Sequence, residues 1–404
     1  MPSMSRDELR LLVLAAVVVV PVAILGFGAA LTPETTDFRC FWTGAAFVAT
    51  GRDPYDVAEW TRATSGVALD VFGRIRPGNC PGSYAYPLTT AIAMLPLGVL
   101  PLHVAAVIWE LMIFATAVAG AALLARAASL SRYLSLALVV LVLMSQPFEQ
   151  TVMSAQFGGL SLFAVGLLAS QKVGPRRAGV GLIFAAMKPH VIHFVPLVRA
   201  RGERARTIVV AVAPIGALLL VSLALRPAWP ISWIAELIGQ RRDMFGASVS
   251  LWTLASVAQS PLLGPALVVA AIVPLALAGR RARDLDLLDA IAVVALAWLI
   301  VVPYGLTSDQ PAPLAVAWVA ILRRAVTPST STAHVVALFV VGGILPWVLY
   351  GVRFDVLAYN GLEVTGALVP PATAIVLAAA FTRSRAVAVT SARSASQPAL
   401  SSGG

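Results

Sequence analysis

Apolar stretches with almost no charge alternate with polar segments along nearly the whole chain. At about 1.5 Å rise per residue and about 30 Å of hydrocarbon, most of these stretches are long enough to cross a membrane as helices. They lie at residues 9–31, 87–125, 133–146, 158–171, 207–225, 262–279, 287–303, 310–322, 333–350 and 366–382. The pattern predicts an all-α polytopic membrane protein with about 10–13 transmembrane helices.

The stretch 87–125 and the chain ends need separate interpretation. The stretch is too long for one helix and too short for three, so we expect one span plus a re-entrant piece broken at Pro96 and Pro101. Two crossings are the alternative. The first apolar stretch is too long for a typical signal-peptide core and is read as an uncleaved anchor. We expect one transmembrane domain over 1–382 and a disordered cytoplasmic tail over 383–404.

A broken helix pair is predicted at 178–187 and 191–198, on either side of Lys188 and Pro189. Irregular backbone at membrane depth must be buried in protein or line a wet cavity. An ionisable group there is expensive, so Lys188 is a functional candidate. The alternative is that its ammonium group reaches out to the membrane interface.

Composition agrees with lipid as the main surroundings, because 59% of the residues are hydrophobic and 12% are charged. The net charge of +10 comes from basic loops, which predict the cytoplasmic side. We therefore do not expect a nucleic-acid partner. Both termini are expected to be cytoplasmic, and the external segments are expected at 32–86, 147–157, 226–260, 304–309 and 351–365.

The first external segment carries the most informative chemistry. Asp37 directly follows the first span and precedes apolar residues at close to helical spacing: Phe38, Phe41, Trp42, Ala45, Phe47 and Val48. This spacing predicts a helix lying in the membrane interface, with its apolar face down. Gly51 ends it, and a turn leads into a second helix over residues 56–64. A carboxylate at Asp37 could accept a proton from a sugar hydroxyl while the lipid half of a substrate stays in the bilayer. The alternative is a helix cap.

Cys40 and Cys80 are the two cysteines of the chain, and both fall in this external segment. An even pair on the oxidising side of a membrane is a candidate disulfide. The bond would tie the helix after Asp37 to the chain just before Tyr84, provided that the two Cα atoms come within reach.

Several short motifs resemble glycosyltransferase family 87, whose members have the GT-C fold and include polyprenyl-phosphate-mannose-dependent mannosyltransferases of actinobacteria. The resemblance covers most of the chain and departs from the family pattern at one loop, which reads Ala155-Gln156-Phe157-Gly158. The matching elements are Asp37, Gly51-Arg52-Asp53-Pro54-Tyr55, Tyr84-Ala85-Tyr86-Pro87, Leu95-Pro96-Leu97, Leu100-Pro101, the Gln156 loop, Lys188-Pro189 and Ser308-Asp309-Gln310.

The resemblance implies an inverting sugar transfer with Asp37 as general base and no metal or other cofactor. Lys188 would neutralise the leaving phosphate, and Arg241 or Arg242 could also pair with it, since an Arg fork suits phosphate oxygens. Further substrate contacts are expected from Tyr86, Gln156, His190 and Asp309.

Structural roles are the alternatives for several other residues. Asp53 and Asp56 are expected to cap and to pair with Arg52, and Asp309 could cap a helix end. His190 and His193 alone make a poor metal site. The tryptophans of 226–260 are read as interface anchors, and the role of Glu110 stays open.

The predicted function is an integral plasma-membrane glycosyltransferase that serves cell-envelope biosynthesis. It would move a sugar from a polyprenyl-phosphate donor to an envelope glycolipid or glycan on the outer face. Mannose is the expected sugar, and arabinose or another pentose is the alternative. A transporter or flippase of lipid-linked substrates is one alternative, although the two related halves frequent in transporters are not seen. A non-catalytic envelope-complex protein is the other, and in that class Asp37 would be dispensable.

Overall fold

The computed structural model describes residues 6–69, 75–77, 82–170, 204–244, 286–302, 306–324, 328–348 and 368–381, and the positions 80, 180, 181, 183, 250, 262, 263, 266, 267 and 269. Lys188, His190 and His193 lie outside this description, as does the predicted tail. For Arg241 and Arg242 the backbone is described and the side chains are not.

The described part of the chain is helical apart from one short hairpin. The helices of its first half are α1 (Arg6–Leu31), α2 (Phe38–Ala49), α3 (Val57–Thr64), α4 (Leu88–Ala93), α5 (Leu95–Gly98), α6 (Leu102–Ala127), α7 (Arg132–Met144), α8 (Gln146–Met153) and α9 (Gly158–Ala169). Those of its second half are α10 (Arg204–Leu225), α11 (Trp229–Met244), α12 (Leu287–Val301), α13 (Pro311–Leu322), α14 (Pro328–Leu338) and α15 (Leu368–Phe381). Two 3₁₀ turns, Pro33–Thr35 and Thr307–Asp309, and a π-helical segment, Phe339–Ile344, complete the elements.

The hairpin is a feature that the all-α prediction missed. Strand β1 (Val67–Leu69) pairs antiparallel with β2 (Ile75–Pro77), and Ala68 lies opposite Arg76. Each strand has only three residues, too few to show a period of two clearly.

Both helices predicted between Asp37 and Thr64 are confirmed. Gly51 follows α2 with φ of 71°, a left-handed conformation suited to a helix end, and Asp56 caps α3 by accepting a hydrogen bond from the Glu59 N–H at 2.9 Å. The lipid-facing interpretation of α2 is wrong, because Phe38 and Phe41 on its apolar face are buried against other parts of the protein. The helix therefore forms part of the core.

The stretch 87–125 contains two short helices, α4 and α5, followed by the long α6. Pro101 is the N-cap of α6, and Pro96 lies in the first turn of α5, places where a missing backbone N–H costs little. The predicted interruptions near these prolines are confirmed, and the re-entrant course of the short helices stays a prediction.

One helix of the described residues, α6, is long and apolar enough to cross a membrane alone. Up to three spans result if two bent pairs each count as one: α7 with α8, bent by 51°, and α10 with α11, bent by 95°. The predicted total of about 10–13 spans stays a prediction.

Large apolar side chains remain exposed on the outer sides of the helices. Ile24 and Phe27 in α1, Leu111 in α6 and Leu220 in α10 are between 60% and 70% exposed. Water-soluble proteins rarely present so many such residues, whereas lipid accommodates them. The surface therefore fits a membrane protein.

Helices α6 and α9 approach each other through glycines. A Cβ atom on Gly120 would lie 2.6 Å from the carbonyl carbon of Leu162, and one on Gly166 would lie 2.6 Å from the carbonyl oxygen of Gly120. Where lipid surrounds the helices, such small residues allow close backbone packing, which supplies much of the attraction between helices.

The end of the bundle at the start of α12 and the end of α13 is held by ion pairs. Arg323 pairs with Asp286, and Arg324 pairs with Asp289 at 2.7 Å. Burial opposes ionisation of Asp286, but hydrogen bonds from Arg323 and from backbone N–H groups outweigh it and hold its pKa below the usual value. The other end of α13 lies beside α8, because the Thr151 hydroxyl donates to the carbonyl of Ser308 at 3.0 Å. At 12 residues, α13 separates the two ends by about 18 Å.

The glycine contact between α6 and α9 predicts the effect of one methyl group. Gly120→Ala should destabilise the protein by about 1–3 kcal/mol, because backbone atoms rather than a flexible side chain stand in the way. Thermal unfolding in detergent measures this. Gly216→Ala in α10 is the matched control, since no described atom beyond its own helix lies within 4 Å of the added Cβ, and it should be neutral or slightly stabilising. Equal unfolding temperatures for the two variants would contradict the close packing.

Candidate active site

Asp37 sits where the chain leaves the 3₁₀ turn and enters α2. Its backbone N–H donates to the carbonyl of Ser154 at 3.2 Å, which fixes this junction against the end of α8. The carboxylate occupies the N-cap position of α2 but makes no side-chain cap hydrogen bond. It instead accepts a hydrogen bond at Oδ2 from the Gln156 amide at 2.5 Å and remains partly exposed. The capping alternative is therefore wrong for this aspartate.

Gln156 joins two of the predicted site residues. Its Nε2 donates to Oδ2 of Asp37 and, at 3.1 Å, to the hydroxyl oxygen of Tyr86. The residue is completely buried, and within the described residues its Oε1 has no hydrogen-bond partner. A primary amide has two N–H donors, so one side chain can hold a carboxylate and a phenol together.

The loop that carries Gln156 is itself held firmly. Its N–H donates to the carbonyl of Thr151 at 2.8 Å, and the preceding Ala155 has φ of 52°. A non-glycine residue in the left-handed region persists where neighbouring contacts enforce it. The Trp109 indole supplies such a contact by donating to the carbonyl of Ala155 at 2.7 Å.

Aromatic rings surround this junction on the protein side. The Phe41 ring lies 4.7 Å from the ring of Tyr86 and 4.7 Å from that of Phe157, and Trp109 lies 5.1 Å from Phe157. These rings exclude water from one side of Gln156, and a lower local dielectric strengthens its hydrogen bonds.

The segment from Tyr84 to Tyr86 is held by contacts with Tyr55 and with α2. The Tyr55 hydroxyl donates to the carbonyl of Tyr86 at 2.7 Å, and the ring of Tyr84 is wholly buried beside Gly44, where a Cβ atom would lie 2.5 Å from that ring. Burial raises the pKa of Tyr55 well above its usual value, and the charge of Asp53 raises it further. Tyr55 therefore stays a neutral hydrogen-bond donor at physiological pH.

Cys40 and Cys80 form a disulfide, with their Cα atoms 5.5 Å apart. Cys40 lies in the first turn of α2, three residues after Asp37. The carbonyl of Cys80 accepts hydrogen bonds from the Trp60 indole at 3.2 Å and from the Thr64 hydroxyl at 3.4 Å. The bond thus ties α2 to α3 and to the chain leading to Tyr84.

Helix α11 also contacts the segment that leads to Tyr86. The Trp233 indole donates to the carbonyl of Ala85 at 3.1 Å, and Glu236 accepts a hydrogen bond from the Ser83 hydroxyl at 2.8 Å. Trp229, the first residue of α11, is buried. The two tryptophans therefore pack on protein, which corrects their interpretation as interface anchors.

Arg226, just before α11, was not singled out by the sequence. It donates to the carbonyl of Gly51 at 2.9 Å and lies 3.6 Å from Asp53. Arg52, expected to pair with the aspartates of its turn, instead pairs with Glu59 at 2.8 Å. Arg226, the cation beside Asp53, lies more than 170 positions away in sequence, so no local pattern could reveal this ion pair.

The remaining candidates are distributed around this centre. Asp309 ends a 3₁₀ turn beside α8 and accepts a hydrogen bond from the Leu306 N–H at 3.3 Å, which agrees with a capping role. Arg241 and Arg242 lie in the last turns of α11, the helix that contacts residues 83–85. Within the described residues no three His, Cys, Asp or Glu side chains are grouped as a metal site.

Comparison with known proteins adds one finding. The model of glycosyltransferase family 87 matches residues 84–341, well over half of the chain. The matched stretch contains Tyr86, Gln156 and Asp309 and begins after Asp37, so the aspartate is linked to it by contacts rather than by the match. No curated protein shows a significant match to the chain.

The disulfide predicts that both cysteines resist alkylation until they are reduced, and that the bond stabilises the folded protein. Unfolded wild-type protein should take up no alkylating label before reduction and two labels after it. Exchanging both cysteines for alanine should lower stability by about 2–4 kcal/mol, because the unfolded chain gains freedom. Mass spectrometry and thermal unfolding measure the two effects. Labelling of unreduced wild type would contradict the bond, and Ser65→Ala, an exposed change in the same segment, is the control.

Proposed function

Because the chain belongs to glycosyltransferase family 87, we propose that it is a membrane mannosyltransferase that uses a polyprenyl-phosphate-mannose donor. The acceptor would be an envelope glycolipid or glycan on the outer face of the plasma membrane. One observation carries the proposal: a partly exposed carboxylate, Asp37, is held by Gln156 beside Tyr86, at the junction between an apolar helix and the first external segment.

In the proposed reaction an acceptor hydroxyl attacks the anomeric carbon of the donor sugar. Asp37 takes the hydroxyl proton as the new C–O bond forms, and the bond from the anomeric carbon to the phosphate oxygen breaks. Polyprenyl phosphate leaves with the bonding electrons, so a single displacement inverts the anomeric configuration.

The contacts of Gln156 favour a positioning role over the direct substrate contact expected from the sequence. Both N–H groups of its amide are directed to protein oxygens, and the side chain is completely buried. One oxygen of Asp37 is thereby fixed in direction, and the carboxylate stays partly exposed to receive a proton. Pre-set geometry of this kind lowers the barrier more than it changes affinity.

The charge of the leaving phosphate requires a cation. Lys188 keeps this proposed role, with Arg241 or Arg242 as further candidates, because the helix carrying the two arginines contacts the chain next to Tyr86. The proposed orientation places the Asp37 end of the bundle outside and the end with Arg323 and Arg324 inside, in agreement with the preference of basic loops for the cytoplasm.

The base role predicts that Asp37→Asn lowers sugar transfer by on the order of 10²- to 10⁴-fold, because an amide accepts no proton at neutral pH. The assay is transfer from radiolabelled polyprenyl-phosphate-mannose to membrane lipid by purified protein in vesicles. Asp56→Asn is the matched control: it makes the same exchange in the same segment, and asparagine also caps helices, so transfer should stay near wild type. Undiminished transfer by Asp37→Asn would remove the aspartate from the mechanism.

The positioning role of Gln156 predicts a particular kinetic pattern. Gln156→Ala should lower kcat about 10- to 100-fold with little change in KM, since the aspartate is left without its partner but substrate binding is untouched. Steady-state kinetics with both substrates provide the measurement. A raised KM at an unchanged kcat would instead identify Gln156 as a substrate-binding residue.

A further inference from the structure

Helix α8 has three chemically different sides. Phe148 and Val152 form an apolar side, on which Phe148 packs 5.3 Å from the ring of Phe114 and Val152 meets α1 at Gly26. Thr151 marks a second side, which faces the 3₁₀ turn ending at Asp309.

The third side of α8 is polar. Gln146, Glu149 and Gln150 are spaced by three and four residues and therefore lie on one face. The first two are buried, at 0% and 3% exposure, whereas Gln150 and the next residue on this face, Met153, are partly exposed. The face is thus closed at one end and accessible at the other.

The buried polar groups of this face have few of the partners that burial ordinarily demands. Within the described residues, both the oxygen and the nitrogen of the Gln146 amide have no hydrogen-bond partner. Glu149 accepts one hydrogen bond, from the Gln150 amide at 2.7 Å, and no described cation pairs with it. Buried polar groups are hydrogen-bonded in most proteins, and leaving them unpaired costs free energy. Their retention here is explained if a ligand supplies the missing bonds.

The chemistry of the face indicates which ligand. One carboxylate accepts hydrogen bonds from two hydroxyls, and two carboxamides both donate and accept, a set that matches the hydroxyls of a sugar ring. Charged ligands are disfavoured, because the face offers no cation for an anion and one carboxylate is too few for a divalent cation.

We propose that Gln146, Glu149 and Gln150 form a subsite that binds the hydroxyls of a sugar ring, with Glu149 accepting from two of them. This inference rests on the proposed function and names residues that hold its substrate. Ser154, which accepts the N–H of Asp37, follows Glu149 by five residues, about 7 Å along the helix axis. The subsite would therefore lie on the same helix whose C-terminal end holds the backbone of Asp37.

The subsite is tested with deoxy sugars. Wild type and Glu149→Gln are compared in kcat/KM for polyprenyl-phosphate-mannose and for donors that each lack one hydroxyl, and then for acceptors modified in the same way. In wild type, one deoxygenation should cost about 10- to 100-fold, the value of a hydrogen bond to a charged group. In Glu149→Gln the same deoxygenation should cost no more than about 3-fold, because the contact is already weakened. The substrate that shows this loss of sensitivity, donor or acceptor, identifies whose sugar is bound.

Two further variants separate sugar binding from folding. Gln150→Ala changes a partly exposed position of the same face and should raise KM for the same substrate. Glu59→Gln makes the Glu149 exchange on the surface, in the pair with Arg52, and should leave kinetics within about 2-fold. Equal deoxygenation penalties in wild type and Glu149→Gln would overturn the subsite while leaving the transferase intact. Absence of transfer by wild type would overturn the proposed function itself.

Discussion

One buried carboxamide holds the centre of this protein together. Gln156 reaches Asp37 across 119 positions of sequence and Tyr86 across 70, so three segments that are distant in sequence meet at a single side chain. The left-handed backbone at Ala155 and the indole of Trp109 fix the loop from which it extends. Aromatic rings cover one side of Gln156, and the Asp37 carboxylate on the other side remains partly exposed. Geometry that a short loop alone could not define is thereby set by several independent contacts.

The surroundings explain why polar groups gather in two places. Along α6 and α9 the helices meet through glycines and apolar side chains, which lipid and core tolerate equally. Two groups of polar residues lie where helices end: Arg323 and Arg324 with their aspartates at one end, and the polar residues of α8 with Asp37 at the other. Glu110, in contrast, is buried in the interior of α6. Because an unpaired polar group is expensive in apolar surroundings, each polar group inside needs a protein partner or a ligand. Within the described residues, Gln146 in α8 and Glu110 in α6 have no hydrogen-bond partner on either polar atom of the side chain.

Local features were predictable and distant ones were not. The helix after Asp37 and its end at Gly51 could be predicted from the spacing of apolar residues and from turn chemistry. The disulfide was a candidate because the two cysteines of the chain form an even pair within residues 32–86. The position of Gln156 against Asp37 depends on how α8 and α9 pack, which no local pattern encodes. The burial of α2 was misread as lipid contact, since apolar faces look alike whether protein or lipid covers them. The hairpin was missed because its strands have only three residues each. The ion pair of Arg226 with Asp53 was missed because the two residues are far apart in sequence.

The contacts that α11 makes with residues 82–86 also set an order in time. Ser83 and Glu236 are 153 positions apart, and Arg226 follows Gly51 by 175. At about 5–20 residues per second of synthesis, roughly 10 to 30 s pass before the ribosome delivers the second partner. During that interval residues 32–86 can already make the contacts of Asp37 with Ser154 and Gln156, but the contacts with α11 are still missing. Completion of the site is therefore a late event in biogenesis, and a chain truncated before α11 would carry the proposed base without these contacts.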